Sequence, residues 1–183
     1  MEKLMSQRKL VIGFIGKDQP GLVRLIADVV SQHGGSWLES RMSQLAGRFA
    51  GIAVVQTGVE SIDGLKAALQ SLEQISSVVE EAELKQEFAQ EIKNSRILEL
   101  NIVGPDRPGI VYEVSQALEA HVANVLDMET HISAAPMTGE LTFSADATVE
   151  VPFEMDWQTL AEQMDVVALD LGVDILLEEE PDQ

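Results

Sequence analysis

The sequence predicts an α+β fold made of two ferredoxin-like βαββαβ modules in tandem, with antiparallel sheets and helices on one face. Three observations carry that expectation: a long internal repeat, an ordered change of hydrophobic period inside each copy, and turn residues where the period changes. Leu10 to Val23 reads LVIGFIGKDQPGLV, and Leu98 to Val111 reads LELNIVGPDRPGIV. Gly16, Asp18, Pro20, Gly21 and Val23 match Gly104, Asp106, Pro108, Gly109 and Val111 at one offset of 88 residues, which His33 and His121 keep. Farther on, FAGIAVV from Phe49 aligns with FSADATV from Phe143 at an offset of 94. The second copy therefore holds six extra residues in its hairpin, around Ala134 to Gly139. Duplication is the simple account.

Each element follows from its period. Leu10, Ile12 and Phe14 alternate as a strand does, and Leu22, Ile26, Val29 and Val30 then follow at helical spacing. Gly34-Gly35 stops that helix. Strands near 37–45 and 48–56 flank a turn at Gly47 and read as a hairpin. Leu65, Leu69 and Leu72 mark a second helix, and Val78-Val79 begins a last strand. The second copy repeats the order at 98–103, 110–121, 125–132, 141–151, 157–171 and 173–178. Asp156 suits the N-cap of its last helix and Gly172 the C′ position. The polar stretch from Lys85 to Ser95 separates the copies, giving a first domain at 1–86, a linker at 87–95 and a second domain at 96–183.

Composition narrows the function. The apolar fraction is 45%, enough for each half to bury a core, and the chain has no cysteine. Disulfides, thiolate metal sites and cysteine nucleophiles are thereby excluded, and a reducing, cytoplasmic setting is expected. The apolar run after Arg8 is short and is followed by Lys17-Asp18 rather than by a small-residue cleavage site, so it reads as a strand. No stretch nears the roughly 20 apolar residues of a membrane span. The net charge of −19 is unevenly shared. Residues 1–86 carry nine Lys and Arg against ten Asp and Glu; residues 87–183 carry three against twenty-one, with no cation after Arg107. Gripping a polyanion requires cations, so the second half cannot hold nucleic acid directly. Its acidity suits either a well-solvated surface or a basic protein partner.

The repeated loop leaves two readings open. Asp18 precedes a helix, where its carboxylate could accept from first-turn N–H groups. Pro20 costs no hydrogen bond in that turn, and Gly21 removes a side chain where something approaches the backbone. Such a loop is either a good strand-to-helix turn or a cradle for the main-chain atoms of an amino acid, because the helix start suits a carboxylate.

The G-x-D-x-P-G-[LI]-V loop after a strand, inside βαββαβ, resembles the ACT domain, a small-molecule-binding regulatory module. Two such modules at this length, and the ending TFSADATVEVP, are similar to the glycine cleavage system transcriptional repressor family. The resemblance implies an amino-acid-responsive regulator with glycine as the effector. It also implies action through protein contact with a transcriptional activator of glycine cleavage genes, and homo-oligomers. The alternative is a regulatory partner subunit of an amino-acid metabolic enzyme. In ligand-binding ACT domains the ligand sits at a domain interface, against this loop and the start of the second strand. Carried over by position, the residues are Asp18 and Asp106, the backbone of Gly21-Leu22 and Gly109-Ile110, and Asn124-Val125. The first copy has Ser36-Trp37 where the second has Asn124-Val125.

The sheet faces differ between copies. Leu10, Ile12, Phe14, Phe49, Ala53 and Val55, with Leu98, Leu100, Ile102, Phe143, Ala147 and Val149, should lie under the helices. The opposite face carries Val11, Gly13, Ala50, Ile52 and Val54 in the first copy, but Glu99, Asn101, Ser144, Asp146 and Thr148 in the second. The first of these calls for a cover, from the neighbouring module or a second chain. Catalysis finds little support. His33, His121 and His131 lack metal-site spacing, and His33 and His121 suit helix C-termini. No glycine-rich phosphate loop with a lysine is present. The expectation is a protein without catalytic residues, metal or cofactor.

Overall fold

The structure is a computed structural model that describes residues 7–82, 94–134 and 139–179. Residues 87–93 of the expected 87–95 linker, residues 135–138 of the hairpin insertion and Glu180 lie outside them. The described residues fall into two compact units, each taken here by itself.

In the first unit β1 (Gln7–Lys17) leads to α1 (Leu22–Gln32), β2 (Ser36–Leu45), β3 (Arg48–Gly58), α2 (Ile62–Gln70) and β4 (Ile75–Glu81). A 3-10 turn, Val59–Ser61, precedes α2. In the second, β5 (Ser95–Pro105) leads to α3 (Ile110–Ala120), β6 (Asn124–Ala134), β7 (Leu141–Pro152), α4 (Trp157–Leu171) and β8 (Asp174–Glu179). Ser95 thus opens β5 rather than closing a linker. The strand orders are β2-β3-β1-β4 and β6-β7-β5-β8, all pairs antiparallel. That is the ferredoxin-like plan with two split βαβ halves, in both copies.

Alternation places the cores where the sequence puts them. Leu10, Ile12, Phe14, Ala53 and Val55 are buried with Leu22, Ile26, Val30, Leu65 and Leu69. Phe49 is half-buried at the edge of this core and packs on Phe14, ring centroids 6.0 Å apart. In the second unit Leu98, Leu100, Ile102, Phe143, Ala147 and Val149 are buried with Ile110, Val114, Leu118, Leu160 and Met164. Leu72 falls just past α2 and is half-buried against the core. β4 begins at Ile75, three residues before the expected Val78.

The helix ends use different devices. Asp156 caps α4, its carboxylate accepting from the Gln158 N–H at 3.0 Å, and Gly172 follows in the left-handed region. His33 and His121 are C-caps whose ring Nδ1 lies 2.8 and 2.9 Å from the carbonyls of Val29 and Ala117. After them the copies diverge. Gly34 takes φ 66, whereas Val122 at the matching position takes φ 55. A β-branched residue there is strained, since the left-handed region costs an L-residue about 1–2 kcal/mol. Among the described residues, Thr57 is the buried polar side chain; its hydroxyl donates to the His33 carbonyl at 3.0 Å. Val151 stands at the corresponding place in β7. No helix of the described residues is long and apolar enough to cross a membrane.

Candidate functional site

The two Gly-x-Asp-x-Pro-Gly loops fold alike, and the two glycines of each do different work. A Cβ on Gly16 would collide with the Gln74 carbonyl, and one on Gly104 would stand 2.6 Å from Val173 Cγ1. The first glycine therefore lets the strand end pass the chain entering the last strand. The second glycine is needed for its dihedrals. Gly21 has φ 95, ψ −1 and Gly109 has φ 100, ψ −8, the values of position i+2 in a type II turn with Pro20 or Pro108 at i+1. Among the described residues, the chain neighbours apart, nothing lies within 4 Å of where their Cβ atoms would be, so the backbone there is open.

This geometry corrects the expected cap. Gly21 and Gly109 are the N-cap residues and have no side chain with which to cap α1 or α3. Asp18 and Asp106 stand three residues upstream and use their backbone instead. The Asp18 N–H donates to the Gly47 carbonyl at 3.0 Å, and the Asp106 N–H to that of Leu141 at 2.9 Å. Pro20 likewise precedes the cap and lies outside the first helical turn. The first i→i−4 bonds run from Leu25 to the Gly21 carbonyl and from Glu113 to that of Gly109, both 2.9 Å. The N–H groups of Leu22, Val23 and Arg24, and of Ile110, Val111 and Tyr112, are left without a helical acceptor. Leu22 and Ile110 bury their side chains, so they offer a ligand their backbone alone. Asp18 and Asp106 are exposed. Each loop thus pairs an uncapped, partly positive helix start with a carboxylate that does not consume it, a chemistry suited to an α-amino acid zwitterion.

The surroundings of the loops differ. Arg107 donates from Nη1 to the carbonyls of Leu171 at 2.8 Å and Asp170 at 3.3 Å, fastening the second loop to the C-terminus of α4. Gln19 replaces it in the first copy and lines an open depression of about 440 Å³ with Ile15, Lys17, Arg48 and Glu73. Lys17 and Arg48 are cross-strand partners there, where the second copy has Pro105 and Thr142. Sequence reading missed this pair; its signal was the loss of both cations between the copies.

Asn124 and Ser36 open β6 and β2 at equivalent places, pairing with Glu150 and Gln56. Both are exposed, Val125 is 37% exposed, and Trp37 is half-buried. In each copy a bulge follows, between Trp37 and Glu39 and between Val125 and Asp127. It turns out Leu38 and Leu126, 45% and 46% exposed. Within one module the fold does not bring this strand start to the loop. Asn124 pairs with Glu150, whereas Asp106 bonds to Leu141, at the other end of β7. Nine residues of strand separate those points, roughly 30 Å. Among the described residues no group of His, Asp and Glu could hold a metal ion.

Residues 8–79 and 96–175 each match the ACT domain, so the chain belongs to the ACT-domain family and carries two copies of the domain. Its fold is shared along nearly its whole length with two crystal structures. One is a protein of unknown function from Galdieria sulphuraria, 28% identical with a TM-score of 0.83, covering 95% of this chain and 99% of that one. The other is a candidate glycine cleavage system transcriptional repressor, 17% identical with a TM-score of 0.69, covering 96% and 99%. At that identity the second likeness speaks to the fold alone. No curated protein matches the chain with significance.

Proposed function

We propose that this protein is an amino-acid-responsive regulator without catalytic activity. Its effector is glycine, and it acts by contact with a transcriptional activator of glycine cleavage genes. The observation that carries the reading is the pair of uncapped helix starts, each beside an exposed aspartate, on modules of a small-molecule-binding family. The ligand carboxylate meets the N–H groups after Gly109, with Ile110 contributing backbone, and its ammonium pairs with Asp106. Asn124-Val125 completes the site from the second module of another copy of the chain, because its own module holds it at the far end of the sheet. The second copy is the stronger binder, since Ser36 stands in the first where Asn124 stands in the second. Asp18, Gly21 and Leu22 form the weaker counterpart.

Direct contact with DNA is disfavoured by the second module's outer face. Glu99, Asp127, Glu129, Asp146 and Glu178 stand on it and would repel phosphates. Isothermal titration with glycine tests the site: Asp106→Ala and Asn124→Ala should each weaken binding about tenfold or more, the scale of one charge-assisted hydrogen bond. Unchanged affinity in both variants sinks the assignment. Capture of partners from the source cell tests the rest; recovery of a biosynthetic enzyme in place of a transcription factor would favour the alternative role as a regulatory subunit.

A further inference from the structure

The outer sheet face of the first module has a pattern that the second lacks. Strand register sets Val78, Gly13, Ile52 and Arg41 in one row across β4, β1, β3 and β2, and Glu80, Val11, Val54 and Glu39 in the next. Ile15 and Ala50 continue the apolar strip. Ile15, Ile52 and Val78 are 50%, 58% and 62% exposed, and a Cβ on Gly13 would meet nothing within 4 Å. The matching rows of the second module read Leu176, Asn101, Asp146, Glu129 and Glu178, Glu99, Thr148, Asp127. Those polar groups bond one another, Asn101 to Asp146 at 2.8 Å and Thr148 to Glu99 at 3.3 Å, as a water-facing surface does.

We propose that this face pairs with the same face of a second copy of the chain, about a two-fold axis that crosses the strands between the two rows. An isologous contact must be self-complementary, and these rows are so along β1, β3 and β2. Each row of one copy lies over the other row of the second. Arg41 of each copy meets Glu39 of the other, both pairs at the β2 edge, while Val54 covers Ile52 and Val11 enters the gap above Gly13; at the opposite, β4 edge Glu80 lies over Val78, at the rim of the contact. A two-fold axis along the strands would instead set Glu39 over Glu80, two carboxylates, so charge selects the crosswise arrangement. The second module's face is a poor substitute, because covering it would desolvate the carboxylates of Asp146 and Glu129 against Ile52, which offers them no hydrogen bond or charge. The face spans four strands and about eight residues, roughly 500 Å² in projection at β spacing. Side-chain relief brings that near the low end of stable interfaces, about 600 Å² per partner, so the dimer forms with rising concentration.

Sedimentation of the full chain over a concentration series tests this, with circular dichroism to confirm folding. The mass should rise from one chain to two. Glu39→Arg and Arg41→Glu should each weaken the dimer about tenfold or more, and the double exchange should restore it, as charge-pair reversal does. Because the protein has no cysteine, Ile52→Cys supplies one thiol and Asp146→Cys another. Maleimide labelling of the first should slow as protein concentration rises, while that of the second stays fast. A chain that stays monomeric at every concentration overturns the proposal. So does a dimer that ignores the single charge changes, one that the double exchange fails to restore, or an Ile52→Cys thiol whose labelling does not depend on concentration.

Discussion

The two modules share one order of elements and one strand order, yet they solve the same local problems with different chemistry. After the first helix one uses Gly34 and the other Val122, at φ 66 and 55. Beside the loop one leaves Lys17 and Arg48 facing solvent, and the other ties Arg107 to the end of α4. Outside the sheet one presents Ile15, Ile52 and Val78 and the other a row of carboxylates. Besides the histidine C-caps and the bulges, both keep the loop and its supports: the close-packed first glycine, the left-handed second glycine, and the aspartate N–H bonded to the facing hairpin. A shared backbone thus needs only a few fixed residues, and the remaining positions are free to diverge.

Variants can break that comparison at graded cost. The largest effect is expected at the shared feature. Gly16→Val and Gly104→Val each force backbone apart and should cost about 3 kcal/mol or more in the module that carries them, as overpacking does at its upper range. Calorimetry should show one transition lost or lowered while the other module's remains; two unaffected transitions would show that the glycines are not close-packed. Next comes the exchange after the helix. Gly34→Val should destabilise the first module by about 1–2 kcal/mol, and Val122→Gly should stabilise the second by up to about 1 kcal/mol, the relief of strain being offset by backbone entropy. Equal signs in denaturant midpoints would refute the assignment. Asp156→Ala should cost about 1 kcal/mol and affect the second module alone, because Asp156 is the N-cap of α4 and its carboxylate accepts from the Gln158 N–H. The smallest effect belongs to the hairpin Ala46-Gly47, where Ala46 has φ 49. Ala46→Asn should add a few tenths of a kcal/mol, since asparagine tolerates the left-handed region that this two-residue turn requires.

Much of this was legible in the sequence. The repeat fixed the module order, and alternation assigned nearly every core strand residue, because a two-residue period admits one buried face. Asp156, Gly172 and the histidine caps could be read from position alone. The cap assigned to Asp18 and Asp106 was not correct, and the reason is physical. An aspartate before a helix and a Pro-Gly turn before a helix look alike in one dimension; only dihedrals show that Gly21 has taken the N-cap. The bulges at Leu38 and Leu126 were also not read: they move the inward parity from Trp37 to Met42 and from Val125 to Met128, but these edge strands carry too few apolar residues for the change of phase to stand out. Val122 could have been seen by setting it against Gly34 at the repeat offset.

The distance between Asp106 and Asn124 along one sheet has a consequence for how the protein would respond. If both ends hold the same glycine, binding is a third-party event, possible only where two modules have already met. The effector then acts as a glue, and its apparent affinity becomes a function of protein concentration. Diluting the protein would shift the midpoint of its glycine response toward higher glycine, so cellular abundance would set the threshold along with side-chain chemistry.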